Sequence, residues 1–436
     1  MRIPNASWLS SQNQKLNISL VIKRLFQILI LCLPIQLAKH FWPSWAYVFG
    51  IRVDYLAPAL YVTDLLFLVI FAVWIYSLRK TSINSLVKFD NFWLPALVIV
   101  GLAGINISVS LNPEVALLAW VKLVEVGLII FFCAKVKNFE LTTWLVKPLL
   151  LGAFGASVVG LIQFLLGHSL GGLMYWLGER PVASYLPSIA TFNLNGQSFL
   201  RAYSVFSHPN SLAGYLGLTL IVWSRRLITT SVTRVEKVLV IFVGIGLLTT
   251  FSFSALFFLT LILLGVRFFP KFHQLKALTI LLLLGAIGVS AFEPGLAFLQ
   301  NLPPTINERL VLARSSALML IANPLTGVGL NNFVVSLTKY GADSQVVWLL
   351  QPVHNIFLLT LSEVGLVGFS FFLWGVFKVI SNFQNQDKGW LVYPLLFVLL
   401  TGSMDHYWFT LQQNIFLLAI IIGLSFRKLP AKLSLT

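Results

Sequence analysis

The chain is 436 residues long, with 58% apolar residues, only 10% charged ones and a formal net charge of +16. A soluble domain carries roughly 25% charged residues, so this chain cannot coat itself with a solvated surface. That excludes an ordinary soluble enzyme, and it makes nucleic acid a poor explanation for the positive charge.

Apolar runs near the ~18-residue spanning threshold recur along the whole chain. In chain order they predict helices at about 21–38, 56–77, 92–109, 114–133, 144–166, 210–224, 238–252, 254–266, 277–292, 355–377, 390–406 and 412–426. The expectation is an all-α polytopic bundle of about twelve spans forming a single membrane domain, 1–436. The short pair flanking Ser252-Phe253-Ser254 also suits one re-entrant hairpin. Lys23 and Arg24 precede the first run, but no small-residue cleavage site follows it, so the first span is expected to stay as an anchor. Cys32 and Cys133 lie in apolar runs without metal-like spacing and read as buried thiols.

Orientation follows from Lys and Arg in the connections. With the N-terminus inside, one side collects Lys23, Arg24, Arg79, Lys80, Lys135, Lys137, Arg225, Arg226, Arg234, Lys237 and most of the remaining bases. The positive charge is thus mainly a topology signal, placing both termini in the cytoplasm with the polar connections outside. Two longer outer loops result, 167–209 and a larger one at 293–354. Within the larger loop, Leu310, Val311, Leu312, Ala317, Leu318, Leu320 and Ile321 recur with helical spacing, predicting an amphipathic helix lying against the membrane. Pro324 and the Gly327/Gly329 pair end it.

Few bases face outside, so each is a candidate. Arg201, His208 and Asn210 lead into the sixth span, where a guanidinium and an amide suit a phosphate; Asn210 equally suits a helix N-cap. Arg309 and Arg314 sit five apart on the loop helix, a divergence of roughly 140°, so they do not face one ligand together. Snorkelling to headgroups is the competing reading for both. His354-Asn355 opens the tenth span, and histidine's ordinary pKa suits a general base. Glu363 lies deeper, where a carboxylate needs a partner or a polar cavity. Asp405 and His406 are further candidates beside Tyr407 and Trp408, whose rings suit an interfacial aromatic belt. No paired carboxylates point to a Mg²⁺ site, no phosphate-binding Gly-rich loop points to ATP, and no cofactor is expected.

Taken in order, these segments resemble the O-antigen ligase and polymerase superfamily. The likeness rests on Arg201, Phe206-Ser-His-Pro-Asn-Ser-Leu-Ala-Gly-Tyr215, Asn307-Glu-Arg309, Asn323-Pro-Leu-Thr-Gly-Val-Gly-Leu-Asn-Asn-Phe333 and His354-Asn-Ile-Phe-Leu-Leu-Thr-Leu-Ser-Glu363-Val-Gly-Leu-Val-Gly368. The resemblance implies a metal-independent, inverting glycosyltransferase in the bacterial inner membrane. Its donor would be a glycan on undecaprenyl pyrophosphate and its acceptor a hydroxyl of a glycan, lipid or protein at the outer face. It implies Arg201 and Arg309 as holders of the pyrophosphate and His354 as the base. His208, Asn210, Arg314, Asn355 and Glu363 are the expected supporting residues. One departure stands out: relatives carry an Arg-bearing turn where this chain has Ser252-Phe253-Ser254. The residues do not separate polymerase from ligase. The competing class is a carrier of a small anion such as bicarbonate, which needs a midplane polar path. The charges within spans are few (Asp64, Lys122, Glu125 and Glu363), and Lys122 and Glu125 are spaced to pair with each other.

Overall fold

The structure, a computed structural model, describes residues 6–79, 93–229, 232–268, 304–341, 347–382 and 390–427. It is mostly helical. The helices are α1 (Ala6–Cys32), α2 (Val62–Ser77), α3 (Trp93–Val109), α4 (Pro113–Lys135), α5 (Lys147–Leu166), α6 (Leu173–Trp176), α7 (Pro209–Thr229) and α8 (Arg234–Thr249). They continue with α9 (Phe253–Phe268), α10 (Pro304–Ala322), α11 (Phe333–Tyr340), α12 (Ile356–Ser381), α13 (Val392–Gly402), α14 (Tyr407–Thr410) and α15 (Gln412–Ser425). The strands are short antiparallel pairs: β1 (Ala38–His40) with β4 (Ala59–Tyr61), β2 (Tyr47–Val48) with β3 (Ile51–Arg52), and β5 (Thr191–Leu194) with β6 (Gln197–Leu200).

Among the described residues, three helical segments are long and apolar enough to cross a membrane: Pro113–Lys135, Thr142–Leu166 and Ile356–Ser381. Five shorter apolar helices accompany them. Helices α1, α7 and α8 stand where spans were expected at 21–38, 210–224 and 238–252. The expected span at 277–292 and the loop portions 293–303 and 342–346 lie outside the described residues. Helix α8 packs chiefly on α5 and α7, whereas α9 packs on α13 and α7. The two helices around Ser252 thus share α7 and otherwise pack on different helices.

The main core joins α1, α2, α4, α5, α7, α13 and α15 through Phe26, Phe67, Phe132, Leu149, Tyr215, Phe397 and Phe416, all fully buried. One cluster of charges in this apolar setting compensates itself. Lys122 Nζ lies 2.5 Å from Glu125 Oε2, as the spacing predicted, and 2.8 Å from Asp64 Oδ1, which the sequence did not pair with it. Gln412 also donates to Asp64. A cation between two carboxylates offsets much of the desolvation that each would suffer alone.

Helix α10 departs from expectation. Its apolar positions Leu310, Leu312 and Met319 are buried, it packs along α12, and Ser316 donates to the Leu358 carbonyl (3.0 Å). Protein covers much of its apolar surface, although Leu318 and Ile321 stay exposed. A hydrophobic stripe records that a face is covered, not what covers it.

The segment after α10 is spliced into α12. Helix α12 breaks at Gly365 (φ 64°, ψ −173°), and the chain from 324 to 329 lies against the gap. Val328 and Gly329 N–H donate to the Ser362 and Glu363 carbonyls, while Leu366 and Val367 N–H donate to those of Pro324 and Leu325. The backbones approach so closely that a Cβ on Gly327 (φ +67°) would sit 2.4 Å from the Glu363 carbonyl carbon. Only glycine permits both the left-handed backbone and that contact. Asn106 of α3 closes the arrangement, donating to the Thr326 and Glu363 carbonyls and accepting from Trp120 and the Leu330 N–H. This polar splice lets non-helical backbone remain satisfied among apolar helices.

Candidate active site

One end of the bundle gathers the end of α13 and the starts of α7, α12 and α15, as expected for neighbours that alternate in direction. Its hub is the connection Ser403-Met404-Asp405-His406 after α13, whose residues receive side chains from three other parts of the chain. Asn355 Nδ2 donates to the Ser403 carbonyl (3.1 Å), and Arg309 Nη1 to that of Met404 (3.1 Å). Asn210 Nδ2 donates to Asp405 Oδ2 (2.8 Å), and His354 Nδ1 lies 3.3 Å from Asp405 Oδ1.

Local sequence explains why these residues meet. Asn355 is the N-cap of α12, its Oδ1 accepting from the Phe357 and Leu358 N–H groups. That cap fixes His354 immediately outside the helix, and the amide's other end ties it to Ser403. Gly214 of α7 admits the Tyr407 ring, which a Cβ there would approach to 2.4 Å. The start of α7 thereby lies beside residue 405. Ser211 Oγ donates to Asn414 Oδ1 (2.5 Å), fastening α7 to α15.

The hydrogen bonds also determine protonation. A carboxylate accepts only, so His354 presents Nδ1–H to Asp405, and in the neutral ring the lone pair falls on Nε2. The Asn210 N–H donates to His208 Nδ1 (3.1 Å), which makes that nitrogen the unprotonated one. Consistently, burial pulls His208 down to about 4, with Arg201 and Arg309 adding to the effect and Asp405 opposing it. His406 is pulled down to about 3, again mainly by burial. Burial also pushes on Asp405, but in the opposite sense, and is outweighed by the His354 hydrogen bond and the surrounding imidazoles, which hold the carboxyl well below the usual range. The anionic Asp405 thus sits among histidines of which two are kept neutral.

Arg201 is half-buried and well fixed. Its Nε donates to the Thr250 carbonyl (2.7 Å) and its Nη2 to Asn210 Oδ1 (2.6 Å). A continuous chain therefore runs Arg201–Asn210–Asp405–His354. Burial lowers Arg201, and the nearby Arg309 lowers it further, so the two guanidiniums share one electrostatic neighbourhood. Arg201 rests on the turn before α9, the one carrying Ser252-Phe253-Ser254, through the Thr250 carbonyl. The Phe253 side chain itself is exposed.

Other expected residues sit apart. Arg314 is exposed, while Arg309 turns toward Met404. Glu363 accepts from the Phe333 N–H (3.2 Å) at the start of α11, so its carboxylate belongs to the splice in α12 and not to the histidine cluster. Asn355 serves as cap and tether. Tyr55 joins the cluster from the connection between β3 and β4, its ring edge-on to His406 at 5.6 Å. No motif marked it in the sequence. Asp405, weighed there only as a minor candidate, is the residue on which the arrangement turns.

His354, Asp405 and His406 also offer one ligand atom each within 4.8 Å of one another. Two imidazoles and a carboxylate suit a zinc-like ion by donor type. Two arginines in the same neighbourhood favour an anion instead.

Residues 211–373 match the family model described as O-antigen ligase. That stretch is similar to the O-antigen ligase/polymerase superfamily. No curated protein sequence matches it. The match supports a general O-antigen ligase- or polymerase-like function, in polysaccharide assembly on lipid-linked glycans in a membrane, and it lends no support to anion transport. The matched stretch contains Arg309, His354 and Glu363. Arg201, His208, Asn210 and Asp405 lie outside it, yet contact it directly.

Proposed function

We propose that the protein transfers a glycan from undecaprenyl pyrophosphate to an acceptor hydroxyl at the outer face of the bacterial inner membrane, without a metal ion. The observation that carries this reading is the chain Arg201–Asn210–Asp405–His354, with Arg309 bound to the same hub.

His354 Nε2 takes the proton of the acceptor hydroxyl, and that oxygen attacks the anomeric carbon. The bond from that carbon to the pyrophosphate oxygen breaks, and the bonding pair leaves with the lipid pyrophosphate. Attack opposite the leaving group inverts the anomeric centre. Arg201 and Arg309 sit where the leaving group's growing negative charge would be met by fixed donors, so little reorganisation is needed at the moment of reaction. Asp405 holds the His354 tautomer and stabilises the imidazolium that forms, as carboxylates do for general-base histidines elsewhere. Asn210 couples the two halves, accepting from Arg201 and donating to Asp405. Polymerase and ligase differ only in acceptor, and both fit.

The test is transfer by purified protein in EDTA, comparing wild type with His354→Ala and Arg201→Ala. The reading expects metal-free transfer by wild type and its loss in both folded variants. Transfer that needs an added divalent ion, or that survives both substitutions, overturns it.

A further inference from the structure

The loop joining α5 to α7 carries an apolar surface that the glycan chemistry does not use. Leu173, Tyr175 and Trp176 of α6 are 80%, 63% and 66% exposed, and Tyr185 of the following turn is 84% exposed. The run Leu173-Met-Tyr-Trp-Leu177 contains no charge.

Two observations indicate what covers this surface. The first is continuity with a spanning helix. Segment Thr142–Leu166 is long and apolar enough to cross a membrane, and its last residues, Leu165 and Leu166, are 72% and 53% exposed. The backbone pairs Ser169 N–H with the Val182 carbonyl and Ser184 N–H with the Gly167 carbonyl (2.8 and 2.9 Å). Those bonds bring Tyr185 back beside the end of α5, so the patch extends a lipid-facing stripe.

The second is that the outward set of the side chains is built in. Glu179 accepts from the Leu170 and Gly171 N–H groups and from Gln163 Nε2, all at 2.7 Å. The Gln36 N–H donates to the Leu177 carbonyl (3.1 Å), and Gly178 packs so tightly on Gln36 that a Cβ would lie 2.6 Å from its carbonyl carbon. Glu179 and Gln163 turn inward, and α6 presents leucine, tyrosine and tryptophan outward, while Arg180 is exposed beside Asp54. Tyr and Trp, with an apolar body and a polar edge, concentrate where acyl chains meet headgroups.

We propose that α6 and Tyr185 dock into the membrane–water interface at the end of α5, with a phospholipid surface as the partner. The docking is independent of the transfer reaction. One consequence rests on the transfer reading. Gln163 also holds the Ser204 backbone, accepting its N–H (2.6 Å) and donating to its carbonyl (2.8 Å). The docked loop thereby fixes the height of segment 201–208, and so of Arg201, above the lipid that delivers the donor.

The test places an environment-sensitive nitrobenzoxadiazole label at Trp176→Cys or Tyr185→Cys, in a chain with Cys32 replaced by alanine; Cys133 is fully buried. Leu165→Cys is the lipid-facing reference. The proteins are placed in nanodiscs of phosphatidylethanolamine and phosphatidylglycerol, and quenching by doxyl-labelled lipid is compared with quenching by aqueous iodide. Docking predicts that both loop labels lose fluorescence to doxyl lipid, as the Leu165 label does, and resist iodide. Iodide quenching without doxyl quenching overturns the proposal, as does protection that appears only at high protein concentration or only with added oligosaccharide. A Leu165 label that doxyl lipid fails to quench also overturns it, since α5 then offers no lipid surface to extend. None of these readouts requires activity.

Discussion

Replacing Asp405 with asparagine keeps the size of the side chain and removes its charge, which isolates what the carboxylate does for His354. The two groups are 3.3 Å apart with side-chain exposures of 15% and 7%. At that separation and an effective dielectric of about 20, a carboxylate stabilises an imidazolium by about 5 kcal/mol. His354 keeps some exposure, so about 3–4 kcal/mol of that is expected at the transition state, equivalent to a loss of about 10²–10³ in transfer rate. The assay is steady-state transfer from a lipid-linked donor, with thermal unfolding measured on the same preparations. The loss should fall on kcat with little change in donor KM. The double variant Asp405→Asn/His354→Ala should be no slower than His354→Ala alone, because groups acting as a unit are not additive. Wild-type kcat in Asp405→Asn, or fully additive losses in the double variant, would refute the assignment of Asp405 as the residue that positions His354.

Other outcomes follow from the same structure. Gly327→Ala places a Cβ against the Glu363 backbone at a left-handed position and should cost at least about 2–3 kcal/mol, read as a lowered unfolding temperature. His406 and His208 stay neutral in the fold down to about 3 and about 4, whereas the unfolded chain takes up protons near the ordinary histidine pKa. Their contribution is therefore intact above about pH 6.5 and is lost as the pH falls through that window, with Asp405 adding a loss of the same sign at lower pH. His406→Gln should flatten the acid limb of a stability–pH curve. Lys122→Met leaves Asp64 and Glu125 facing each other uncompensated and should destabilise the fold by about 1–3 kcal/mol, allowing for the partial exposure of Lys122. Adding Asp64→Asn and Glu125→Gln should recover most of that loss in the same unfolding measurement.

Much of the helical plan was legible because apolar run length and the absence of charge are local properties. The Arg309/Arg314 divergence was legible too, since helix geometry fixes it. Three features were not. The covering of α10 was misread because an apolar stripe looks the same against lipid and against α12. Glu363 stood out as a carboxylate in apolar sequence, but its partner is the backbone N–H of Phe333, which no side-chain pattern advertises. Asp405 stood only as a further candidate beside Tyr407 and Trp408. Its importance comes from Asn210, 195 positions away, and from His354. Close approach through Gly214 and the Asn355 cap creates those contacts, and neither residue type announces such a role by itself. Arg201 and His354 were found because a charged or titratable side chain in a sparse setting attracts notice.

The central claim divides labour: the arginines hold the donor's pyrophosphate and His354 performs the proton transfer. Donor binding and transfer rate, measured on the same preparations of wild type, Arg201→Ala, Arg309→Ala and His354→Ala, test it directly. The account predicts that both arginine variants bind the undecaprenyl-pyrophosphate donor at least about tenfold more weakly, the loss of one charge-assisted contact of ~1.4 kcal/mol or more. It predicts that His354→Ala binds the donor as wild type does and transfers at least about 10²-fold more slowly. Transfer by His354→Ala at the wild-type rate, or undiminished donor affinity in both arginine variants, would contradict it.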